Sequence, residues 1–107
     1  IEVCKHCYKP LAFIELAKDT GQRFKATTLI KKLALKFEVP GYLVFYKTDD
    51  QDEIINFRIK RVARNEGMMH ENVKPEKWLA YLQQLQIEHL KECTDVIDIT
   101  GSYGGTI

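Results

Sequence analysis

The chain has few cysteines and no long hydrophobic stretch, and each of these shortages excludes a class of protein. Its 107 residues contain three Cys and three Pro. An odd number of cysteines does not form a closed disulfide framework. No run of about 18 apolar residues could cross a bilayer, and no signal-peptide pattern is present. We therefore expect a cytoplasmic protein in a reducing compartment, with no membrane partner.

Charge of one sign does not dominate the chain, although its distribution is uneven. Hydrophobic residues make up 45% of the sequence and charged residues 29%, with a net charge of +1. This mixture is typical of one globular domain. Residues 1–64 carry 13 Lys and Arg against 8 Asp and Glu, whereas residues 65–107 carry 3 against 7. The first part can attract a polyanion, but net charge alone would not bind the chain to nucleic acid.

Hydrophobic periodicity predicts a small mixed sheet of the α/β (α+β) class, with the order strand, helix, strand, strand, helix. The apolar run at residues 11–17 is typical of a central strand buried on both faces. Residues 27–38 have apolar side chains at helical spacing, and Pro40 with Gly41 ends this helix.

The following segments predict a hairpin, a loop and a longer helix. Residues 42–47 and 55–60 predict two strands joined by an acidic turn. We expect a loop over residues 64–74. Pro75 suits the first turn of a helix, which we expect to run to about Cys93.

The domain organisation is simple, because the sequence contains no internal repeat and no low-complexity tract. We expect a single zinc-stabilised domain over residues 1–95. Residues 96–107 contain three Gly and predict a tail or a short edge strand.

Three cysteines and one histidine have the spacing of a zinc site. Cys4 and Cys7 form a C-x2-C pair, so two thiolates of one turn can reach a single Zn²⁺ at about 2.3 Å. His89 and Cys93 are four residues apart in the second predicted helix, which places both side chains on one face. The four residues would make a tetrahedral site. We expect this zinc to be structural, because four protein ligands leave no position for water.

Two other interpretations of these residues stay open at the level of the sequence. His6 or His70 could replace the fourth ligand, although His6 lies between the two cysteines and should point away from the metal. Alternatively, Cys4 and Cys7 are surface thiols and Cys93 packs in the core.

A carboxylate within the first apolar strand suggests a second metal. Glu15 would need a partner or a cation if it were buried. The segment 10–19, followed by a Lys-rich helix and a second apolar strand at 42–46, resembles the core of the PD-(D/E)XK nucleases. The resemblance implies that Glu15 binds Mg²⁺ and that Lys18 or Lys25 positions water, so that the chain would be a metal-dependent phosphodiester hydrolase.

The spacing of these residues departs from the nuclease motif, which places Glu and Lys two residues apart. Glu15 and Lys18 are three apart, so either a bulge after Leu16 or Lys25 reaching back would be needed. The first acidic ligand would be Glu2 or a residue before Ile1. Alternatively, Glu15 forms a structural ion pair. The chain as a whole also resembles short phage-encoded proteins, a likeness that implies no activity.

Basic residues cluster on the first helix, before it and on the last predicted strand, where they could neutralise phosphates of DNA or RNA. An ordinary solvated surface is the alternative. The expected function is a metal-dependent nuclease or nuclease-like protein. A non-enzymatic zinc module that binds nucleic acid or protein, such as a viral regulatory or accessory protein, is the second hypothesis. The candidate nucleic-acid contacts are Arg23, Lys31, Lys32, Lys36, Arg58 and Lys60.

Overall fold

The computed structural model describes residues 1–93 as one five-stranded sheet and two helices. The predicted α+β class is confirmed, and the predicted tail at 96–107 lies outside the described residues. Neither helix in this part of the chain is long and apolar enough to span a bilayer. The elements are β1 (Glu2–Val3), β2 (Pro10–Lys18), α1 (Thr28–Phe37), β3 (Gly41–Thr48), β4 (Ile54–Ala63), β5 (His70–Val73) and α2 (Pro75–Leu90).

The strands lie side by side in chain order, from β1 at one edge to β5 at the other. The β2–β3 pair is parallel with α1 as its crossover, and the other three pairs are antiparallel. The central strand is therefore β3, whereas the sequence pattern favours β2. Burial on both faces holds only for the first half of β2, since Leu16 is 58% exposed.

The two helices cover opposite faces of the sheet. On one face, Phe13 and Ala63 pack with the α1 residue Ala34. On the other face, Val44 and Ile59 pack with side chains of α2, including Trp78. Neighbouring residues of a strand point to opposite faces, so β3 contributes to both sides of the core.

Two boundaries differ from the sequence-based expectation. The predicted loop at 64–74 contains β5, a short edge strand paired with β4. Its first three residues are polar and exposed, so no apolar alternation marks it. The second helix ends at Leu90 rather than at Cys93. The N–H of Glu92 donates to the carbonyl of His89 at 3.0 Å, and this turn carries the chain on to Cys93.

Candidate metal centre

A tight turn between β1 and β2 presents the first two thiols. The N–H of Cys4 donates to the carbonyl of Lys9 at 2.8 Å, and the N–H of Tyr8 donates to the carbonyl of Cys4 at 2.9 Å. Tyr8 closes the turn with a left-handed backbone, at φ 62°. The N–H of His6 points to the Cys4 Sγ at 3.5 Å. We name this hydrogen-bonded turn the knuckle (residues 4–9).

The other two candidate ligands come from the end of α2. His89 lies in the last turn of the helix, and Cys93 lies three residues beyond its end. Gln86 is one helical turn before His89 and connects α2 to β1. Its Nε2 donates to Glu2 Oε2 at 2.7 Å and to the carbonyl of Val3 at 2.5 Å. The same side chain therefore holds the start of the chain against α2 beside the knuckle.

The four side chains converge on one point. The three Sγ atoms and one imidazole nitrogen all lie within 4.8 Å of one another. Cys4 Sγ is 3.7 Å from Cys93 Sγ, and Cys7 Sγ is 3.3 Å from His89 Nε2. Two sulfurs bound to one tetrahedral Zn²⁺ at about 2.3 Å would lie about 3.8 Å apart. The observed spacing fits that geometry, whereas a disulfide would need about 2.05 Å.

The cluster is closed to solvent on most sides. Cys4 is 0% exposed, Cys93 3% and His89 8%, and only Cys7 is partly exposed. Leu11 and Leu85 pack around the sulfurs. Among residues 1–93, this is the one group of three or more His, Cys, Asp or Glu side chains with converging ligand atoms. Such a filled and enclosed set suits a structural metal rather than a catalytic one.

The surroundings shift the pKa values of Cys4 and Cys7 in opposite directions. Burial raises the pKa of Cys4, but the N–H groups of Cys7 and His6, together with hydrogen bonds from the thiols of Cys7 and Cys93, outweigh it, so its pKa lies below the ordinary value. For Cys7, the N–H of Lys9 lowers the pKa. Burial and the thiols of Cys4 and Cys93 outweigh that effect and raise its pKa. Because the thiolate is the form that binds a metal, these N–H groups favour ligation by Cys4.

The substitute histidines lie elsewhere. His6 is exposed and has no atom in the cluster, and His70 lies on β5 at the far edge of the sheet. The structure therefore brings together Cys4, Cys7 and the pair from α2, and neither substitute histidine.

The candidate hydrolase residues are only partly brought together. Glu15 Oε1 lies 3.9 Å from Lys25 Nζ, and the side chains are 35% and 41% exposed, so Glu15 is not a buried carboxylate. The β2–β3 register is regular from Phe13 to Lys18, with no bulge after Leu16. Glu15 and Lys18 consequently point to opposite faces of β2.

The candidate second carboxylate also lies on the wrong face for a shared metal. Glu2 accepts its hydrogen bond from Gln86 on α2, whereas Glu15 is on the face covered by α1. Among residues 1–93, Glu15 belongs to no group of three or more His, Cys, Asp or Glu side chains with converging ligand atoms.

The candidate nucleic-acid contacts divide into engaged and exposed side chains. Arg58 is 13% exposed and forms a two-point ion pair with Asp19, at 2.8 and 2.9 Å. Lys31 lies 3.4 Å from Glu66, and Lys60 is half-buried opposite Leu43. The remaining three are exposed and form no ion pair with any of residues 1–93: Arg23, Lys32 and Lys36.

Sequence reasoning missed two functional features of the structure. Gln86 precedes His89 by three residues on the same helix face, and this spacing could have identified it as a partner of the knuckle. The pairing of Asp19 with Arg58 joins residues 39 positions apart, and no local pattern indicates it.

Comparison with known proteins finds no matching family model, no significantly similar curated protein and no significantly similar solved structure. Function is therefore inferred from the residues of this chain and their geometry.

Proposed function

We propose that Cys4, Cys7, His89 and Cys93 bind one structural Zn²⁺ and that the chain is a non-enzymatic, zinc-stabilised binding module. The observation that carries the proposal is the convergence of the four donor atoms within 4.8 Å. Three thiolates and one imidazole are a donor set typical of tetrahedral zinc and not of Mg²⁺ or Ca²⁺. All four coordination positions are taken by protein, so the metal activates no water.

Metal analysis of the purified chain tests the site. We expect about one zinc per chain in the parent, and a clear loss of zinc in Cys93→Ser and in His89→Ala. His6→Ala and His70→Ala are matched histidine controls that should keep the full zinc content. Unchanged zinc in Cys93→Ser would remove that residue from the ligand set and contradict the proposed centre.

The exposed basic side chains support nucleic acid as the partner of the module. Lys32 and Lys36 are one turn apart on α1, and Arg23 lies in the segment that leads into this helix. Exposed cations contact phosphates regardless of base sequence. The three free thiols are consistent with a reducing cytoplasm, which would be that of the host for a viral accessory protein.

Salt dependence tests nucleic-acid binding. With about three phosphate contacts, the logarithm of affinity for duplex DNA should fall with the logarithm of salt at a slope of about −3. Lys32→Glu should weaken binding and reduce this slope, whereas Lys9→Gln, an exposed lysine on the knuckle, should change neither. Binding that is independent of salt would exclude phosphate contacts as its basis.

The approach of Lys25 to Glu15 favours a second candidate, the PD-(D/E)XK-type hydrolase. Lys25 reaches back to within 3.9 Å of the carboxylate, as the motif would require of a displaced lysine. Incubation of plasmid with the protein and Mg²⁺ or Mn²⁺ separates the two functions. Cleavage that disappears in Glu15→Gln would support the hydrolase, and absence of cleavage in both would favour the binding module.

A further inference from the structure

A cavity of about 390 Å³ lies on the α2 side of the sheet, between the first turns of that helix and strands β4 and β5. Three aromatic rings form its wall. Trp78 and Tyr81 are stacked at 5.5 Å with an interplanar angle of 15°, and Tyr42 meets both rings edge-on at 5.6 Å. Two aliphatic side chains of β4 and β5 complete the apolar part. The volume lies within the range of about 300–1,000 Å³ usual for small-molecule sites.

Two basic side chains, Arg61 and Lys77, lie beside this aromatic wall. His70 also lines the cavity, and no Asp or Glu is among its lining residues in the described part of the chain. Arg61 donates from Nε to the carbonyl of Ala63 at 3.3 Å, and its Cζ lies 5.9 Å from the Tyr42 ring. Within residues 1–93, the guanidinium forms no ion pair with a carboxylate, and it lies close enough to the Tyr42 hydroxyl to oppose part of the rise in the pKa of that group.

Tyr42 adds no negative charge to the cavity. Burial raises the pKa of Tyr42, and its hydroxyl contact with Tyr81 raises that pKa further, so its phenol stays neutral near pH 7. The cavity thus combines an aromatic wall with cations that lack an acidic partner in the lining.

We propose that this cavity binds a nucleoside monophosphate unit, with the base stacked on Trp78 and the phosphate contacted by Arg61 and Lys77. Every nucleobase has a face that stacks on an aromatic ring, and a guanidinium donates two parallel hydrogen bonds to a phosphate. A purely apolar ligand would leave the cations without a partner. A small inorganic anion would leave the aromatic wall unused.

The cavity is independent of the proposed phosphate contacts on α1, because the two helices lie on opposite faces of the sheet. The monophosphate unit can come from a free nucleotide or from one residue of a single strand. Both sources have the same chemistry, and titration with each of them distinguishes the two.

The fluorescence of Trp78 reports binding directly, since it is the one tryptophan of the chain. The full chain is titrated with adenosine monophosphate, adenosine and inorganic phosphate, with excitation at the red edge of the indole band where bases do not absorb. We expect saturable quenching by the monophosphate and at least about tenfold weaker binding of adenosine, which lacks the charge-assisted hydrogen bonds. Inorganic phosphate should not quench.

Two variants test the cations, and one controls for charge. Arg61→Gln and Lys77→Gln should each weaken binding of the monophosphate by about fivefold to tenfold and leave adenosine binding within about twofold. Lys91→Gln, an exposed lysine at the other end of α2, should change neither. Equal binding of adenosine and its monophosphate, or an equal effect of all three variants, would overturn the proposal.

Titration with a single-stranded oligonucleotide that lacks terminal phosphates shows whether the bound monophosphate unit belongs to a strand or to a free nucleotide. Quenching by the oligonucleotide at lower concentration than by the monophosphate supports a strand, and quenching by the monophosphate alone supports a free nucleotide. Salt-dependent strand binding, with no quenching of Trp78 by either the oligonucleotide or the monophosphate, overturns the cavity proposal and leaves the proposed phosphate contacts of Arg23, Lys32 and Lys36 unaffected. Quenching by the monophosphate without any strand binding supports the cavity proposal and contradicts nucleic-acid binding through the α1 side chains.

Discussion

Asp19 and Arg58 form the best-shielded ion pair among residues 1–93, with both side chains 13% exposed. The guanidinium donates two hydrogen bonds to the carboxylate and a third, at 2.6 Å, to the carbonyl of Gln22. It also lies 4.8 Å from the centre of the Phe45 ring. These contacts hold the loop before α1 against the sheet, so the pair organises the segment that carries Arg23.

We expect Asp19→Asn to lower the free energy of unfolding at pH 7 by about 2 kcal/mol, because it leaves a largely buried guanidinium without its counter-charge. Urea denaturation measures this change. The matched control is Lys31→Gln, which breaks the exposed pair with Glu66 and should change stability by less than about 0.5 kcal/mol.

The ion pair of Asp19 and Arg58 also makes the stability of the fold depend on pH. The hydrogen bonds from Arg58 hold the pKa of Asp19 below its ordinary value. The contribution of the pair to the free energy of unfolding is therefore complete above about pH 4, which is the pKa of an Asp in the unfolded chain. It is lost as the pH falls through the lower pKa of Asp19 in the folded protein. The stability difference between the parent and Asp19→Asn should shrink below about pH 4. A difference that is constant from pH 7 to pH 2 would contradict this account.

The left-handed backbone of Tyr8 leads to a second prediction about a single residue, which concerns the stability of the knuckle. Its backbone is left-handed, a conformation that costs a non-glycine residue about 1 kcal/mol or more, and its side chain is 74% exposed. Tyr8→Gly should raise the thermal midpoint by a few degrees at unchanged zinc content. Lys9→Gly, at a neighbouring residue without positive φ, should lower it. A lower midpoint in Tyr8→Gly would show that the ring has a role in packing.

Residue types alone predict the four candidate ligands, because three thiols and an imidazole at this spacing are typical of a zinc site. They do not predict the role of Arg58, which the sequence groups with phosphate contacts. A single cation in a strand carries no sign of a partner 39 residues away. Burial and pairing depend on register, and register follows from the tertiary fold.

At the level of elements, α1 lies unusually close to the sheet at Gly41. A Cβ built on this glycine would lie 3.2 Å from the Cβ atoms of both Ala34 and Ala63. We expect Gly41→Val to lower the free energy of unfolding by about 1–3 kcal/mol, because the added methyls would push α1 away from β3. Gly67→Val is the control, since a Cβ there meets no atom within 4 Å. Equal stability of both variants in urea denaturation would contradict the close packing.

Element boundaries show where sequence patterns stop being informative. The helix at 28–37 and the hairpin of β3 and β4 follow from apolar periodicity, since their buried faces need many apolar residues in register. The β5 strand buries only part of Val73, and its pairing with β4 comes from backbone hydrogen bonds that leave no trace in side-chain type. The ligand spacing of His89 and Cys93 places the end of α2 too far along the chain, because a turn beyond the helix brings Cys93 to the cluster equally well.

At the level of the whole molecule, the cluster of three cysteines and one histidine joins the start of the described chain to its end. Cys4 and Cys93 are 89 residues apart, and between them lie every strand from β2 to β5 and both helices. Apart from the four candidate ligands, the hydrogen bonds from α2 to the first five residues come from Gln86 in the described part of the chain. A bound zinc would therefore restrict the unfolded chain as a long-range cross-link does.

We expect removal of the metal by a strong chelator to lower the free energy of unfolding by at least about 3 kcal/mol, because the closed loop is nearly the whole described chain. Thermal unfolding followed by circular dichroism measures this loss, which corresponds to well over about 10 °C for a chain of this size. Protons compete with zinc for the thiolates, so the chelator should strip the metal more readily as the pH falls. His6→Ala should respond to the chelator as the parent does, whereas His89→Ala should already be destabilised without it. Equal melting of the parent with and without chelator would mean that the cluster does not cross-link the fold.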